Sequence, residues 1–346
     1  MKKILVLVLA VIFTLSMVAC SSSKTKTDET SGSTSESTTN ENTNNNAEGS
    51  KTSEASEGGK KKFVIGWSSA NNANEANVQC LDGAQDYINS LTDDEVEFIV
   101  LDGEGSGEKQ VAHCETFISM GVDCVVMQPY DAAACQVGVE ACQKAGIPVF
   151  TAKSMIENND ICTYVGQDDT IAGEMEMRWI AEKLGGKGNI VIIEGPTGIS
   201  AAILRNQGIQ NVLKEYPDIK VLYSQPGNWN REEGMALMEN WLQTGQKIDA
   251  VVAHNDEMAL GAYDAIVDAG KKGEILVIGI DAIDAALESV SKGELNATVL
   301  QDSYGIGALA VEVALKICKG ENVDKVYNVD PVLVTPENIS EYWPKK

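Results

Sequence analysis

The sequence predicts an α/β protein with two similar lobes, each built around a doubly wound parallel sheet. Short apolar runs such as "FVIGWS" and "DCVVMQ" lack strict alternation, which is typical of parallel strands buried on both faces. Helical patterns separate these runs from residue 63 to the end of the chain, and strand–helix repetition is typical of right-handed crossovers. The repeats form two blocks of about five units each, which predicts two lobes.

Residues 1–19, which precede this body, are predicted to be a secretory signal peptide. Two lysines form a basic start, the apolar core "ILVLVLAVIF" follows, and the segment is too short and wrongly flanked for a membrane span. The boundary at Ala19-Cys20 resembles a bacterial lipobox, although Met17 stands where Leu is commonest. We therefore expect cleavage before Cys20 and a lipid on its thiol; the alternative is an ordinary secreted protein with a chance cysteine.

Residues 20–62 are predicted to be a flexible tether. Ser, Thr, Asn, Gly and Glu dominate this segment, which cannot bury enough apolar surface to offset its ordering entropy. Signal peptide, lipid and tether together predict an extracytoplasmic body that contacts the cell membrane through a lipid anchor only.

The body is strongly acidic. The formal net charge of the chain is −24 at pH 7, and residues 63–346 carry −25 of it, because residues 1–62 have a net charge of +1. Such a surface repels nucleic acid and anionic lipid, so we expect neither as a partner. It suits an exported, soluble monomer.

The cysteines of the body show no C-x-x-C pair and no zinc-type spacing. Most fall in apolar stripes, so we interpret them mainly as small buried hydrophobic residues, with one disulfide left open. They are Cys80, Cys114, Cys124, Cys135, Cys142, Cys162 and Cys318.

The predicted elements follow one another in strict order. The strands are "FVIGWS", "EFIVLD", "DCVVMQ", "IPVFTA", "CTYVGQ", "NIVIIEG", "IKVLYS", "IDAVVA", "ILVIGI" and "ATVLQ". The helices start near Glu75, Gly107, Ala132, Thr170, Ser200, Arg231, Asp256, Ile283 and Tyr304. The two blocks meet around residues 166–168. In doubly wound sheets, ligands bind beyond the carboxyl ends of the strands, so we expect the site there.

The enzyme and metal hypotheses find little support in the motifs. The chain has no G-x-S-x-G elbow, "EGPTGISAA" lacks the Lys-Ser/Thr of a phosphate loop, and "GWSSANNAN" stands where a dinucleotide fingerprint would follow the first strand. Only two histidines exist, and no calcium loop pattern is present. We therefore expect no catalytic residue, no metal and no cofactor.

Polar side chains recur where the predicted strands end. Amides and carboxylates present fixed donors and acceptors that suit the vicinal hydroxyls of sugars and polyols. A single Asn in such a place is more often a helix cap or a loop residue, but recurrence at one edge of both lobes favours a binding site. The residues are Asn71, Asn72, Asn74, Asn77, Gln128, Lys153, Gln167, Asn255, Asp281 and Gln301.

Several stretches, "HNDEMALGAYDAI", "GIDAIDAALESVSKGELNATVLQD", "CLDGAQ" and "AGIPVFT", resemble the bacterial type I periplasmic sugar-binding family, with ribose-binding-like members most similar. The resemblance spans residues 63–334 and implies a three-segment hinge and the capture subunit of an ABC importer. With the strand count, it predicts an N-terminal lobe of residues 63–167 and 302–330 and a C-terminal lobe of residues 168–301 and 331–346.

The resemblance implies that Asn255 and Asp281 bond the sugar, that Gln301 lies at the hinge, and that Trp229 is the stacking aromatic. Asp256 is then expected to cap a helix and Glu257 to lie in its first turn, with His254 beside the cleft. The full set of predicted ligand-binding residues is Asn74, Asn77, Lys153, Arg205, Trp229, Asn255, Asp281 and Gln301.

The chain departs from the ribose-binding pattern. Ala76 and Asn77 replace an aromatic pair, and Lys153-Ser154 replaces Asp-Arg, so ribose itself is not the expected ligand. Among the predicted site residues, Lys153 and Arg205 are cationic and only Asp281 is acidic. This suggests surplus positive charge in the pocket, which makes a sugar acid an alternative ligand to a neutral sugar or cyclitol. An exposed Lys153 that points to solvent is also open.

A second function class is a sensor that presents a sugar to a membrane histidine kinase or chemoreceptor. The fold also serves as the effector core of repressors, but a signal and tether stand where a DNA-binding helix-turn-helix would be needed. Nothing in the sequence separates an importer subunit, with a permease and an ATPase as partners, from a sensor.

Overall fold

The protein, in a computed structural model that describes residues 60–344, forms two six-stranded sheets flanked by helices. Elements are numbered in chain order. The first sheet contains β1 (Lys61–Ser69), β2 (Asp94–Asp102), β3 (Cys124–Met127), β4 (Val149–Ala152), β5 (Tyr164–Gly166) and β11 (Val326–Asn328). Across the sheet the order is β11-β5-β4-β3-β1-β2, and every pairing is parallel.

The second sheet repeats the plan of the first. It contains β6 (Lys187–Glu194), β7 (Asp218–Pro226), β8 (Ala250–Ala253), β9 (Leu276–Asp281), β10 (Ala297–Leu300) and β12 (Val332–Val334). The order is β12-β10-β9-β8-β6-β7, in which only the edge strand β12 runs antiparallel to its neighbour within the described residues. The two lobes are therefore built alike.

Helices cover both faces of each sheet, as buried apolar strands require. They are α1 (Glu75–Ser90), α2 (Gly107–Met120), α3 (Ala132–Lys144), α4 (Asp169–Lys183), α5 (Ser200–Leu213), α6 (Arg231–Gln243), α7 (Asp256–Asp268), α8 (Asp284–Ser291) and α9 (Ser303–Cys318), with 3-10 turns at Asn159–Ile161 and Ile339–Glu341. Helix α1 packs on α9, α2 on α3, α4 on α5 and α6 on α7. Strand side chains such as Ile65 and Phe150 in one lobe, and Ile192 and Ile278 in the other, form the fully buried cores.

The predicted fold class is confirmed. Each of the ten predicted strands is present, and six of the nine predicted helix starts match the structure, while α4, α8 and α9 begin one residue away, at Asp169, Asp284 and Ser303. The strands β11 and β12 were not predicted, because each has only three residues and such short runs carry little periodicity.

The chain passes between the two sheets three times. It leaves the first sheet after Gly166 and returns to it with α9, which follows Leu300 and packs on α1. It passes to the second sheet again between β11 and β12. The predicted lobe boundaries at 167/168, 301/302 and 330/331 fall in these three connections, and their role as a hinge stays a prediction.

The predictions for the N-terminal segment concern residues that the structure does not describe. The signal peptide, Cys20 and most of the tether lie outside the described residues. Among residues 60–344, no helix has the length and apolar character needed to cross a membrane.

The cysteines of the described body are free thiols. Six of them are buried, as the apolar stripes predict, and Cys318 is partly exposed.

Candidate functional site

A cavity of about 500 Å³ lies between the two lobes, at the carboxyl ends of the strands. Loops after β1 and β4 form one wall, and the loop after β7, the start of α7 and the end of β9 form the other. All eight predicted site residues line it: Asn74, Asn77, Lys153, Arg205, Trp229, Asn255, Asp281 and Gln301. Their role in ligand binding stays a prediction. Each side chain can offer a ligand only the polar atoms that protein groups do not already occupy.

Arg205 on α5 is the buried centre of the site, with 3% of its surface exposed. Its Nε donates to Asp169 Oδ1 at 2.8 Å, and its Nη1 donates to the backbone carbonyl of His254. The same Nη1 lies 3.8 Å from Asp281 Oδ1. One guanidinium therefore ties together α4, the end of β8 and the end of β9.

Asp169 was missed by the sequence-based prediction, and it changes the expected charge of the site. It is 1% exposed and pairs directly with Arg205. Two buried cations, Lys153 and Arg205, are therefore matched by two buried carboxylates, Asp169 and Asp281. The prediction of surplus positive charge is therefore wrong for these four buried side chains.

Asp281 reaches the cavity on a strained turn. Its φ is 126° and that of Ala282 is 56°, both in the region that side chains other than glycine rarely adopt. Asp256 holds this turn, because its Oδ2 accepts from the Ile283 N–H at 3.1 Å and its Oδ1 accepts from the Thr298 hydroxyl at 2.7 Å. That hydroxyl in turn lies 3.3 Å from the Ala282 nitrogen, which donates to it.

The expected cap at Asp256 is therefore wrong. The residue that caps α7 is Asn255, whose Oδ1 accepts from the Met258 N–H at 3.1 Å. Asn255 is buried, and its Nδ2 has no protein partner among the described residues. Glu257 lies in the first turn, as predicted, and pairs with Arg231 at 2.7 Å on the cavity wall.

Lys153 points into the protein, so the alternative of a solvent-exposed lysine is wrong. It is 8% exposed, and its Nζ donates to the Ala76 carbonyl at 3.1 Å and to Ser303 Oγ at 3.0 Å. Burial lowers the pKa of its ammonium, and the nearby Asp281 carboxylate opposes that shift. Three N–H donors and two protein acceptors leave one donor for a ligand.

The two asparagines of the first loop also serve local structure. Asn74 Oδ1 caps α1 by accepting from the Asn77 N–H at 3.3 Å, and Asn77 Nδ2 donates to the Asn71 carbonyl at 2.9 Å. These bonds hold the first loop, which forms part of the cavity wall. Each bond uses one polar atom of the asparagine side chain.

Trp229 lies against the backbone of the second lobe. A Cβ placed on Gly195 would stand 2.2 Å from its ring, so only glycine admits the ring there. The Arg205 guanidinium is 5.5 Å from the ring centroid, a cation–π distance. Trp229 is thus held in place and lines one side of the cavity.

His254 does not itself line the cavity, but it neighbours two residues that do: its carbonyl accepts from Arg205, and it precedes Asn255. It is fully buried behind Asn255, and its Nδ1 accepts from the Gly195 N–H at 3.2 Å. Burial, aided by the positive charge of Arg205, lowers the pKa of the ring to about 3. It is a neutral part of the core near pH 7.

Several wall residues were not predicted. Tyr130 and Ser154 come from the first lobe, whereas Ile199, Asn228, Asn230 and Glu232 come from the second. Glu232 lies in the first turn of α6, and the others lie in loops. Among residues 60–344, no group of three or more His, Cys, Asp or Glu is placed to hold a metal ion.

Comparison with known proteins places this geometry in a family. A family model described as the periplasmic binding protein domain matches residues 65–322. A xylitol-binding protein of Mycolicibacterium smegmatis is 38% identical over 242 residues, which cover 70% of this chain and 68% of that protein. The ribose import binding protein RbsB of Bacillus subtilis is 36% identical over 281 residues, which cover 81% of this chain and 90% of that protein.

A solved structure has the same architecture. The crystal structure of an ABC transporter solute binding protein from Bacillus halodurans, with bound myo-inositol, has a TM-score of 0.78 and 38% identity, and the match covers 82% of this chain and 98% of that one. The chain belongs to the periplasmic binding protein family. The predicted family resemblance is confirmed.

The buried acid that holds the Asp281 turn gives the ligand-free protein a pH-dependent stability. Burial, with the Asp281 charge adding to it, raises the pKa of Asp256 from 3.8 to about 8. The folded protein keeps a proton there that the unfolded chain has released, so this contribution to stability is lost as the pH rises toward and through about 8. We expect the unfolding free energy to fall between pH 7 and 8, by at most ~1.4 kcal/mol per pH unit for this group.

Asp256→Asn is expected to make that slope shallower in urea unfolding. Burial raises the pKa of Glu176 as well, so part of the slope remains. Asp82→Asn, on the exposed face of α1, is the matched control and should keep the parent slope. An Asp256→Asn slope equal to that of the parent would contradict the assignment.

Proposed function

We propose that this protein is an extracytoplasmic solute-binding protein that captures a sugar or a related polyol in the cleft between its lobes and delivers it to an ABC importer. The observation that carries the proposal is the cavity itself. It presents a buried amide donor at Asn255, a carboxylate at Asp281 and an ammonium donor at Lys153, with Trp229 along one side. Hydroxyl groups that donate and accept at once satisfy such a set.

The charge balance favours an uncharged ligand. Arg205 is already bonded to Asp169 and lies near Asp281, so a ligand carboxylate would compete for a guanidinium whose partners are buried. Removing one partner from a buried ion pair is costly. The relatives that bind xylitol and myo-inositol support an acyclic polyol or a cyclitol over a sugar acid.

Calorimetry with myo-inositol, xylitol, ribose and glucuronate tests this proposal. We expect a neutral polyol to bind at least about tenfold more tightly than glucuronate, a difference of ~1.4 kcal/mol. Tighter binding of glucuronate would contradict the charge argument. Binding of ribose above every other compound would contradict the departure from the ribose pattern.

Asn255→Ser separates ligand binding from helix capping. Serine keeps an oxygen for the Met258 N–H but removes the unpaired Nδ2 donor. We expect affinity for the preferred polyol to fall by about 1.5–3 kcal/mol, and the unfolding free energy to change little.

Asn230→Ser is the matched control for this substitution. Asn230 also caps a helix, accepting from the Glu233 N–H at 3.0 Å, and it lines the same cavity, but it is exposed. We expect its effect on affinity to stay within about 0.5 kcal/mol. Equal losses in the two variants would contradict a special role for Asn255.

The three connections between the sheets are proposed to act as a hinge. Short connections allow the lobes to rotate while each core stays intact. We expect small-angle scattering of the body to give a smaller radius of gyration at saturating polyol than without it. An unchanged radius at saturation would contradict closure on ligand.

The partner proteins are proposed to be an ABC permease and ATPase, with the protein acting as a monomer. The family model and the solute-binding relatives support this partnership. Gene neighbours that encode a histidine kinase, with no permease, would instead favour the sensor hypothesis.

The membrane anchor is proposed to be a lipid on Cys20. The support is the basic start, the apolar core and the "VAC" boundary. In the native host, Cys20→Ala should release the protein from the membrane fraction into the medium. An intact mass with an unmodified Cys20 would contradict the anchor.

A further inference from the structure

Three of the eight predicted site residues have a backbone conformation that side chains other than glycine rarely adopt. The φ angle is 61° at Lys153, 61° at Trp229 and 126° at Asp281. Such conformations persist only where the surrounding structure holds them. Asp256 and Thr298 hold the turn at Asp281, so the turn at Lys153 needs a support of its own.

The turn at Lys153 sets the direction of its ammonium. The Ser154 N–H donates to the Ala152 carbonyl at 2.7 Å, which closes a three-residue turn with Lys153 at its centre. The form of this turn with a positive φ is rare and strained. From this turn the Lys153 Nζ reaches the Ala76 carbonyl and the Ser303 hydroxyl. A change of φ at Lys153 would therefore redirect the whole side chain.

The hydroxyl of Tyr164 on β5 bonds to the carbonyl of this turn. It lies 3.2 Å from the Lys153 carbonyl oxygen and 2.9 Å from the Gln167 carbonyl oxygen, and its one hydrogen is shared between them. Burial raises the pKa of the hydroxyl well above its ordinary value, so it stays a donor. The Lys153 N–H donates to the Val165 carbonyl at 3.0 Å. Consecutive residues of β5 therefore hold both backbone polar groups of Lys153.

Gly166 gives the Tyr164 side chain its position. A Cβ on Gly166 would stand 2.3 Å from the Tyr164 hydroxyl oxygen and 2.5 Å from the ring carbon that carries it. The ring is 1% exposed and lies over its own strand, where only glycine leaves room for it. The place of the hydroxyl is thus set by the local sequence of β5.

The segment that Tyr164 holds continues into the buried ion pair of the second lobe. Gln167 is the first residue after β5, and its Nε2 donates to Asp169 Oδ1 at 3.2 Å. The same oxygen accepts from Arg205 Nε at 2.8 Å. A chain of hydrogen bonds therefore runs from the Lys153 turn, along the first connection between the sheets, to Arg205.

We propose that Tyr164 is a positioning residue for ligand binding, although it lies behind the cavity wall. Its hydroxyl holds the Lys153 turn and so keeps the ammonium directed at the cleft. Without the hydroxyl, the backbone of Lys153 relaxes to a negative φ and the ammonium leaves its two acceptors. The inference rests on the proposed capture of a polyol, in which Lys153 donates to a ligand hydroxyl.

Tyr164→Phe tests the effect on affinity, because it removes the hydroxyl and keeps the ring. The probe is whichever of myo-inositol, xylitol and ribose binds the unsubstituted protein most tightly in calorimetry. We expect about tenfold weaker binding, the cost of one hydrogen bond in a buried network. Tyr327→Phe is the matched control. Its hydroxyl accepts from the Asp324 N–H at 3.0 Å on the neighbouring strand β11, away from the cavity, and the variant should bind within about twofold of the parent.

A double-mutant cycle with Lys153→Met separates positioning from a general loss of structure. If Tyr164 acts through the ammonium of Lys153, the further loss from Tyr164→Phe should shrink to about twofold or less once that ammonium is gone. The same tenfold loss in both backgrounds would overturn the proposal.

Acetylation of Lys153 gives a measurement that needs no ligand. Limiting acetic anhydride is added to the folded full chain, and modification is mapped by mass spectrometry. The buried ammonium of the parent should react slowly, whereas Tyr164→Phe should raise the rate at Lys153 severalfold and Tyr327→Phe should not. A Lys153 that is as protected in Tyr164→Phe as in the parent would overturn the proposal.

Gly166→Ala is a second route to the same change, because its methyl group would displace the Tyr164 hydroxyl. We expect the same rise in Lys153 acetylation, checked on protein that urea unfolding shows to be folded, so a poorly folded Tyr164→Phe does not remove the test. Unchanged acetylation in Gly166→Ala would also overturn the proposal. If the unsubstituted protein binds none of the three polyols, the proposed ligand class fails, and the acetylation comparison still decides whether Tyr164 positions Lys153.

Discussion

The buried guanidinium of Arg205 is the constraint on which the rest of the site depends. A cation with 3% exposure is tolerated only when charged and polar partners replace its lost hydration. Those partners come from three different places in the fold: Asp169 is the first residue of α4, His254 directly follows β8, and Asp281 is the last residue of β9. The strand ends of the second lobe therefore meet around one charge.

Two layers of polar groups result. In the lower layer, Asp169 and Arg205 satisfy each other, and Asp256 with Thr298 holds the strained turn that presents Asp281. Above it, Asn255 lines the cavity, and its buried Nδ2 has no partner among the described residues. The ligand then meets polar groups that are already held in place by paired neighbours. Such preorganisation lowers the entropy cost of binding.

Much of this arrangement follows from the sequence, since strand ends are set by apolar runs and the chemistry collects at one edge of each sheet. All eight predicted site residues line the cavity; six were predicted from strand ends, whereas Arg205 and Trp229 were predicted from the family resemblance. The partner of Arg205 was not predicted, because Asp168 and Asp169 look alike in sequence and only the packing shows that Asp168 caps α4 while Asp169 is buried. The cap of α7 was misplaced by one residue for the same reason: Asn255 and Asp256 are both good cap residues.

We propose that the cavity binds an uncharged polyol while the Arg205–Asp169 pair stays intact. A crystal structure of the protein with its preferred polyol tests this arrangement. We expect ligand hydroxyls bonded to Asn255 Nδ2 and to the Asp281 carboxylate, with the 2.8 Å bond between Arg205 Nε and Asp169 Oδ1 unchanged. A ligand that displaces Asp169 from Arg205, or one that binds outside this cavity, would contradict it.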